Sequence, residues 1–219
     1  MIAVMGSYER PSAGLEEPLD CYLHGYVSSR IMNVSRASAG TADGAQPKGM
    51  PVAISAAKVD GLVLALTPNS HSMNYRSAIL FGYATPVTNV EEKLFAMNLV
   101  TEKVLLGRWD NTRVPPNQTE MSSTNILRVK IETGSAKVRD GPPADSREDL
   151  DDESVLDRVW TGVVPIREVM EEPVQSVYNR VKEVPEHVKE YREGFNMREA
   201  EYVEKVNAAV RGSEDNVYQ

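Results

Sequence analysis

Residues 69–84, Asn-Ser-His-Ser-Met-Asn-Tyr-Arg-Ser-Ala-Ile-Leu-Phe-Gly-Tyr-Ala, pass from a polar cluster straight into an apolar run. His71, Asn74, Tyr75, Arg76 and Ser77 give way to residues 78–81, closed by Gly82. A run this short, rich in branched and aromatic residues, reads as a strand buried on both faces. Its leading end then carries several kinds of hydrogen-bonding group at the mouth of a β-structure, where small ligands bind. The alternative is a loop whose polar residues satisfy one another.

The rest of the pattern is β-rich. Residues 2–5 read as the tail of a strand, and Asp20-Cys-Tyr-Leu-His24 as a short strand ending at Gly25. Ser28 is placed to cap a short helix in which Val27, Ile31 and Val34 share a face. The small, polar residues 36–49 read as a surface insertion. Residues 50–58 and 62–66 are apolar runs around Asp60-Gly61, which predicts a hairpin with a type I′ turn. Residues 90–104 repeat apolar positions at helical steps, with Asn89 or Thr88 as cap. Strands are expected over residues 123–133 and 159–165, separated by a solvated acidic loop over 140–153. Beyond Pro185, Val188, Tyr191, Phe195, Tyr202, Val206 and Val210 form a sparse stripe on a C-terminal helix weakened near Gly194. The tail from Gly212 is expected to fray. Alternating βαβ order is missing, so the expected architecture is mainly β: an antiparallel barrel with helical additions.

Composition narrows function by exclusion. The 219 residues carry a net charge of −8, which argues against a nucleic-acid or anionic-membrane binder. No apolar run approaches the ~18 residues that cross a bilayer. One cysteine, Cys21, leaves no internal disulfide and fits a reducing compartment, so the chain reads as cytoplasmic. The sequons at Asn33 and Asn117 read as chance matches. Neither standard phosphate loop, nor a nucleophile elbow, nor a helical zinc motif is present. His24, His71 and His187 lie far apart with no cysteine cluster, so no metal site is expected.

Several segments together resemble the flavin-nucleotide-binding branch of the pyridoxamine-phosphate-oxidase-like split-barrel family, which includes nitroimidazole-resistance-type proteins. They are Tyr22-Leu-His-Gly25 with Ser28-Ser-Arg30, residues 59–64, His71-Ser-Met-Asn-Tyr-Arg-Ser77, Gly107-Arg-Trp109, residues 135–143 and Val159-Trp-Thr-Gly-Val-Val-Pro165. Each is weak alone; their order across residues 20–166 carries the match. The resemblance implies an FMN-binding antiparallel split β-barrel over residues 1–166, with a helical extension over 167–219. It implies a homodimer with flavin sites at the subunit interface. Relatives generally have a helix and opening strands before the segment matching residues 1–6, so an N-terminally incomplete barrel is expected.

Carried over position by position, His24 and Gly25 end a strand beside the flavin, and Ser29 and Arg30 contact the FMN phosphate. A helix start independently offers free N–H groups and the positive dipole end to a phosphate, and Arg30 a bidentate donor. The plain alternatives are a helix cap and a solvated charge. Tyr75, Arg76 and Ser77 line the flavin ring, Ser77 standing where related oxidases have Gln. Trp160 abuts the cofactor, or else belongs to the core. His71 is the polar group placed near a substrate, as acid, base or ligand contact, or it is a structural histidine. Lys137 and Arg139 face the flavin, or pair with Asp140, Asp145 or Asp149. The implied function is an FMN-dependent oxidoreductase acting on a small molecule such as a nitro compound, a pyridoxal-type amine or oxygen. The alternatives are a flavin or small-ligand binding module without turnover, and a relic barrel with a helical interaction arm.

Overall fold

The computed structural model describes residues 2–14, 16–39 and 48–211. Six strands form one sheet in the order β1-β2-β5-β4-β3-β6: β1 Ala3–Gly6, β2 Asp20–Tyr26, β3 Met50–Leu64, β4 Ser72–Pro86, β5 Thr124–Arg139 and β6 Gly162–Pro165. β1 pairs with β2, β2 with β5 and β3 with β6, all antiparallel. Among the described residues the sheet does not close, and both edge strands are only four residues long. Short edges limit unwanted pairing. The chain divides into two compact units, Met1–Ser55 with Ile79–Ser135, and Ala56–Ala78 with Ala136–Gln219.

In the first unit, β2 and β5 set the layers. Their register places Cys21 opposite Val129 and Leu23 opposite Leu127. These four buried side chains cluster with Met32 of α1 (Arg30–Ala39), Met50 and Ala84. The intervening positions, Tyr22 and Ile126, point the other way and pack on Phe95 and Ala96 of α2 (Val90–Val104). The period of two along a strand thus divides one strand pair between two helical layers. Tyr22 meets Phe95 edge-on at 5.8 Å, and its hydroxyl donates to Glu92 Oε1 at 3.1 Å. Arg128 donates to the same oxygen at 3.2 Å, so the buried carboxylate has a cationic partner.

Helix α2 has the bounds its periodicity predicts. The Asn89 side chain accepts from the amides of Glu91 and Glu92 at 2.8 and 3.0 Å. A further short helix, α3 (Gln118–Ser123), begins with a reciprocal capping box between Asn117 and Glu120. The expected insertion over residues 36–49 is corrected at its start, because α1 continues to Ala39; residues 40–47 lie outside the described residues. The expected α1 face also rotates. Met32 and Ser35 are buried while Val34 is exposed. Gly82 ends the apolar run within the strand, and β4 continues through it to Pro86. A Cβ there would stand 2.2 Å from the Lys130 carbonyl oxygen, so the glycine admits the neighbouring backbone.

The second unit overturns the hairpin expected at Asp60-Gly61, because β3 passes through both residues without a turn. The Asp60 carboxylate is buried and bidentate with Arg76: Nε–Oδ2 is 2.8 Å and Nη2–Oδ1 is 2.7 Å. A Cβ on Gly61 would meet Val163 Cγ1 at 2.8 Å. This pair of residues therefore serves an ion pair and the close approach of β6, and these outweigh its turn propensity. The acidic loop contains two single-turn helices, α4 (Arg147–Leu150) and α5 (Glu153–Leu156), capped by Ser146 and Asp152.

Helix α6 spans Glu186–Arg211 and passes unbroken through Gly194. A helical glycine costs about 1 kcal/mol. Contacts of the two residues that follow it offset that cost: Lys58 lies 5.7 Å from the centre of the Phe195 ring, and Asn196 bonds both the amide and the carbonyl of Met170. The stripe is as expected, with Val206 buried and Val188, Tyr191, Phe195 and Tyr202 half-buried. The tail from Gly212 lies outside the described residues. Among the described residues no helix is long and apolar enough to cross a membrane.

Two outcomes follow from the packing of the first unit. Gly82→Ala should lower stability by about 1–3 kcal/mol, because backbone cannot yield as a flexible side chain can; thermal unfolding would register it as a fall of several degrees. Burial pushes the Cys21 thiol up to about 11, so it stays protonated and covered at pH 8. A disulfide reagent should label it only after denaturant is added, and rapid native-state labelling would contradict that burial.

Candidate functional site

Strand β2 ends in a turn that leads into α1. The Ser29 amide donates to the Tyr26 carbonyl at 2.9 Å, and the Asn33 amide donates to the Ser29 carbonyl at 3.0 Å. Ser29, not Ser28, thus stands at the helix start. The turn is clamped from the helix: Asn33 Nδ2 donates to the Ser28 carbonyl at 3.1 Å and Arg36 Nη2 to the Val27 carbonyl at 3.0 Å. Arg36 also bonds Asn33 Oδ1, which locks the two clamps together. On the other side, the Val27 amide donates to the Ser123 carbonyl at 2.9 Å.

In this turn and in the strand that leads into it, two polar atoms have no hydrogen-bond partner. The Ser29 hydroxyl and His24 Nδ1 are both buried and make no hydrogen bond. Buried polar atoms are almost always satisfied, so an orphaned pair flanking one turn needs an explanation. Arg30 opens the helix with its side chain exposed and no ion pair among the described residues. Gly25 lies inside β2 opposite Asn125, one residue before the strand ends. Hydroxyl, imidazole, guanidinium and free helical N–H groups make a donor set suited to a phosphate group.

The other expected site residues belong to the second unit. His71 is exposed, and its Nδ1 bonds the Thr67 carbonyl at 2.8 Å. A carbonyl only accepts, so Nδ1 carries the proton and Nε2 keeps its lone pair. Thr67 and Ser70 bond each other at 2.8 Å across a 3₁₀ turn, Pro68–Ser70, which steadies that carbonyl. Tyr75 lies beneath the Lys137 ammonium, 5.8 Å from the ring centre, and its hydroxyl holds that ammonium above the usual lysine range. Ser77 Oγ donates to the Lys137 carbonyl at 3.4 Å.

Arg76 is committed elsewhere. Besides its fork on Asp60, it stacks 3.7 Å from the centre of the Tyr202 ring. Asp60 holds its charge above the usual arginine range. Arg76 is therefore a strut between β3, β4 and α6, with no free donors on the Asp60 side. Trp160 is largely exposed, which removes the core alternative; its ring packs over Gly162. Arg139 bonds none of the expected carboxylates, donating instead to Asn74 Oδ1 at 2.5 Å and to the Pro142 carbonyl at 3.3 Å. Asp145 instead accepts from the Leu66 amide at 2.8 Å.

Two residues organise this unit in roles that the sequence does not show. Asn74 is fully buried and bonds Arg139 and both backbone groups of Gly141. Asp60, next to a glycine, has the local pattern of a turn residue but is the buried partner of Arg76. An acid and a base sixteen positions apart on neighbouring strands were the available signal for their pairing. Among the described residues, no group of three or more His, Cys, Asp or Glu is arranged to hold a metal ion.

This arrangement can be set beside known proteins. The family model for pyridoxamine 5'-phosphate oxidase matches residues 7–138. Two solved structures share the fold at a TM-score of 0.65. The FAD and heme binding protein from Mycobacterium smegmatis is 26% identical, covering 79% of this chain and 77% of that one. The flavocytochrome Anf3 from Azotobacter vinelandii is 25% identical, covering 87% of this chain and 84% of that one. No curated protein matches the sequence. Because the family match takes in β2, the clamped turn, α1 and most of β5, and more than half of all residues, the chain belongs to the pyridoxamine 5'-phosphate oxidase family.

Proposed function

We propose that this chain is a flavin-binding redox protein that acts on a small molecule. The observation that carries the reading is the orphaned pair, Ser29 Oγ and His24 Nδ1, in the clamped turn where the family resemblance puts the cofactor phosphate. The group held there is the riboflavin 5'-phosphate moiety common to FMN and FAD. FMN was the expectation from sequence, while the two structural neighbours are described as an FAD and heme binding protein and a flavocytochrome, so either nucleotide fits the proposal. Bound flavin would supply hydride and electron chemistry. The chain supplies binding and orientation: Ser29 and the α1 amides donate to phosphate oxygens, Arg30 closes over them, and His24 makes the inner contact.

The clamp holds the Val27 and Ser28 backbone next to these donors, which lowers the ordering cost of binding at the turn. The substrate-side expectation places His71 as acid or base. Its protonated Nδ1 is already used, so only Nε2 is available, as an acceptor.

That geometry favours a second reading for His71, as a residue that would hold a heme iron. An imidazole whose Nδ1–H is held by a carbonyl keeps Nε2 as an acceptor, the tautomer that metal-ligating histidines use. His187, in the first turn of α6, also has a buried Nε2 without a partner. Both neighbours carry heme-type descriptions, which supports a combined flavin and heme protein over a flavin-only one.

Titration of the purified full chain with FMN and with FAD, followed by flavin fluorescence, tests the main reading. Arg30→Ala should weaken binding by roughly 1.5–3 kcal/mol, about 10- to 150-fold. Ser29→Ala should weaken it while leaving the melting temperature unchanged, because the hydroxyl supports nothing in the protein; an unaltered dissociation constant would remove both residues from the site. Reduction by NADH or NADPH and reoxidation by a nitro compound separate an oxidoreductase from a binder. For the second reading, added hemin should give a sharp Soret band that His71→Ala shifts or abolishes. An identical spectrum in that variant would return His71 to a structural role.

A further inference from the structure

A cavity of about 370 Å³ lies within the first unit, where the loop joining β1 to β2 meets β5 and β4. That volume suits a small ligand. The loop wall is held by its own bonds: the Arg10 amide donates to Ser7 Oγ at 3.2 Å, and the guanidinium donates to the Pro18 carbonyl at 2.6 Å and pairs with Glu17. Asp20, in the lining, and the clamped turn stand at opposite ends of β2. This cavity is therefore separate from the turn proposed for flavin phosphate.

Strand order sorts the lining by charge. Glu9 and Asp20 come from the loop and the start of β2, Arg128 and Lys130 from β5, Tyr83 from β4, and Lys48 from the approach to β3. Carboxylates thus occupy one end and cations the rest. Most of these charges are already engaged: Arg10 with Glu17, Lys48 with Glu132 and Arg128 with Glu92. Each of those pairs sums to zero. Lys130 and Glu9 have no ion pair among the described residues, and Asp20 has only a 3.9 Å approach to Arg128 Nε. Two carboxylates against one ammonium leave one negative charge unmet. Burial raises the Asp20 carboxyl above its usual range, Glu9 adding to the effect and Arg128 and Lys130 opposing it. A cation brought to that end would relieve it.

We propose that this cavity binds a free basic α-amino acid, its carboxylate on Lys130 and its two cationic groups on Glu9 and Asp20. One negative and two positive groups are the complement of what the lining leaves unmatched. A simple anion would face both carboxylates, and a diamine would leave Lys130 without a partner; a half-buried charge without a partner is costly. The Tyr83 ring, with Lys48 Nζ 5.3 Å from its centre, offers an apolar surface to the methylene stem. The inference does not rest on flavin binding.

Calorimetric titration of the full chain with L-lysine and with L-arginine should show saturable binding. Three analogues of L-lysine each lack one group: cadaverine the carboxylate, ε-aminocaproate the α-amine and L-norleucine the ε-amine. Each should bind at least about tenfold more weakly than L-lysine. Lys130→Ala should weaken L-lysine about tenfold without weakening cadaverine, and Glu9→Gln should weaken both, with melting temperatures unchanged. Flavin titrations should be the same in either variant, so the two sites stand or fall separately. Equal affinity for cadaverine or L-norleucine would overturn the proposal. So would the absence of any heat with both amino acids at tens of millimolar, or a Lys130→Ala chain that keeps its preference for L-lysine over cadaverine.

Discussion

The antiparallel pairing of β2 with β5 is the constraint on which the first unit depends. Its register sends Cys21, Leu23, Leu127 and Val129 to α1 and Tyr22 and Ile126 to α2. A slip by one residue would exchange the two sets, driving Arg128 into the α1 layer and leaving Glu92 without its partners. The same pairing fixes where β2 ends, and hence where the clamped turn and the orphaned His24 and Ser29 atoms stand. Core and candidate site therefore share one determinant.

The second unit is organised by charge as much as by apolar contact. Asp60, buried, is tolerable only because Arg76 meets it with two hydrogen bonds. Tyr202 then covers the guanidinium, and Lys58 ties α6 through Glu199. Losing either member of the Asp60–Arg76 pair would strand the other, so these positions act as a fastening for the helix. In the Tyr75-Arg76-Ser77 segment the arginine is thus structural, while Tyr75 and Ser77 meet Lys137.

Legibility in the sequence followed the range of the interactions. Helix α2 was readable because its cap and its stripe are local. The antiparallel, unclosed sheet and the family were readable because many short segments agreed in order. Asp60-Gly61 misled, since turn propensity is local while the ion pair to Arg76 and the approach of Val163 are not. Gly82 was visible as a glycine, but its reason lies in the Lys130 backbone across the sheet. Among the candidate residues, the place of Ser29 and Arg30 at a helix start was legible from local capping chemistry. That Arg76 was already engaged, and that Trp160 was exposed, depended on partners far along the chain.

Sequence by itself determined the element types, the antiparallel class, the family and the position of a phosphate-suited turn, because periodicity, capping and motif order are written in near neighbours. Tertiary structure alone decided which polar atoms are left without partners, which cations are free and which apolar residues remain uncovered. Those properties are differences between what a side chain needs and what the fold brings to it, and no stretch of sequence contains both sides of that difference.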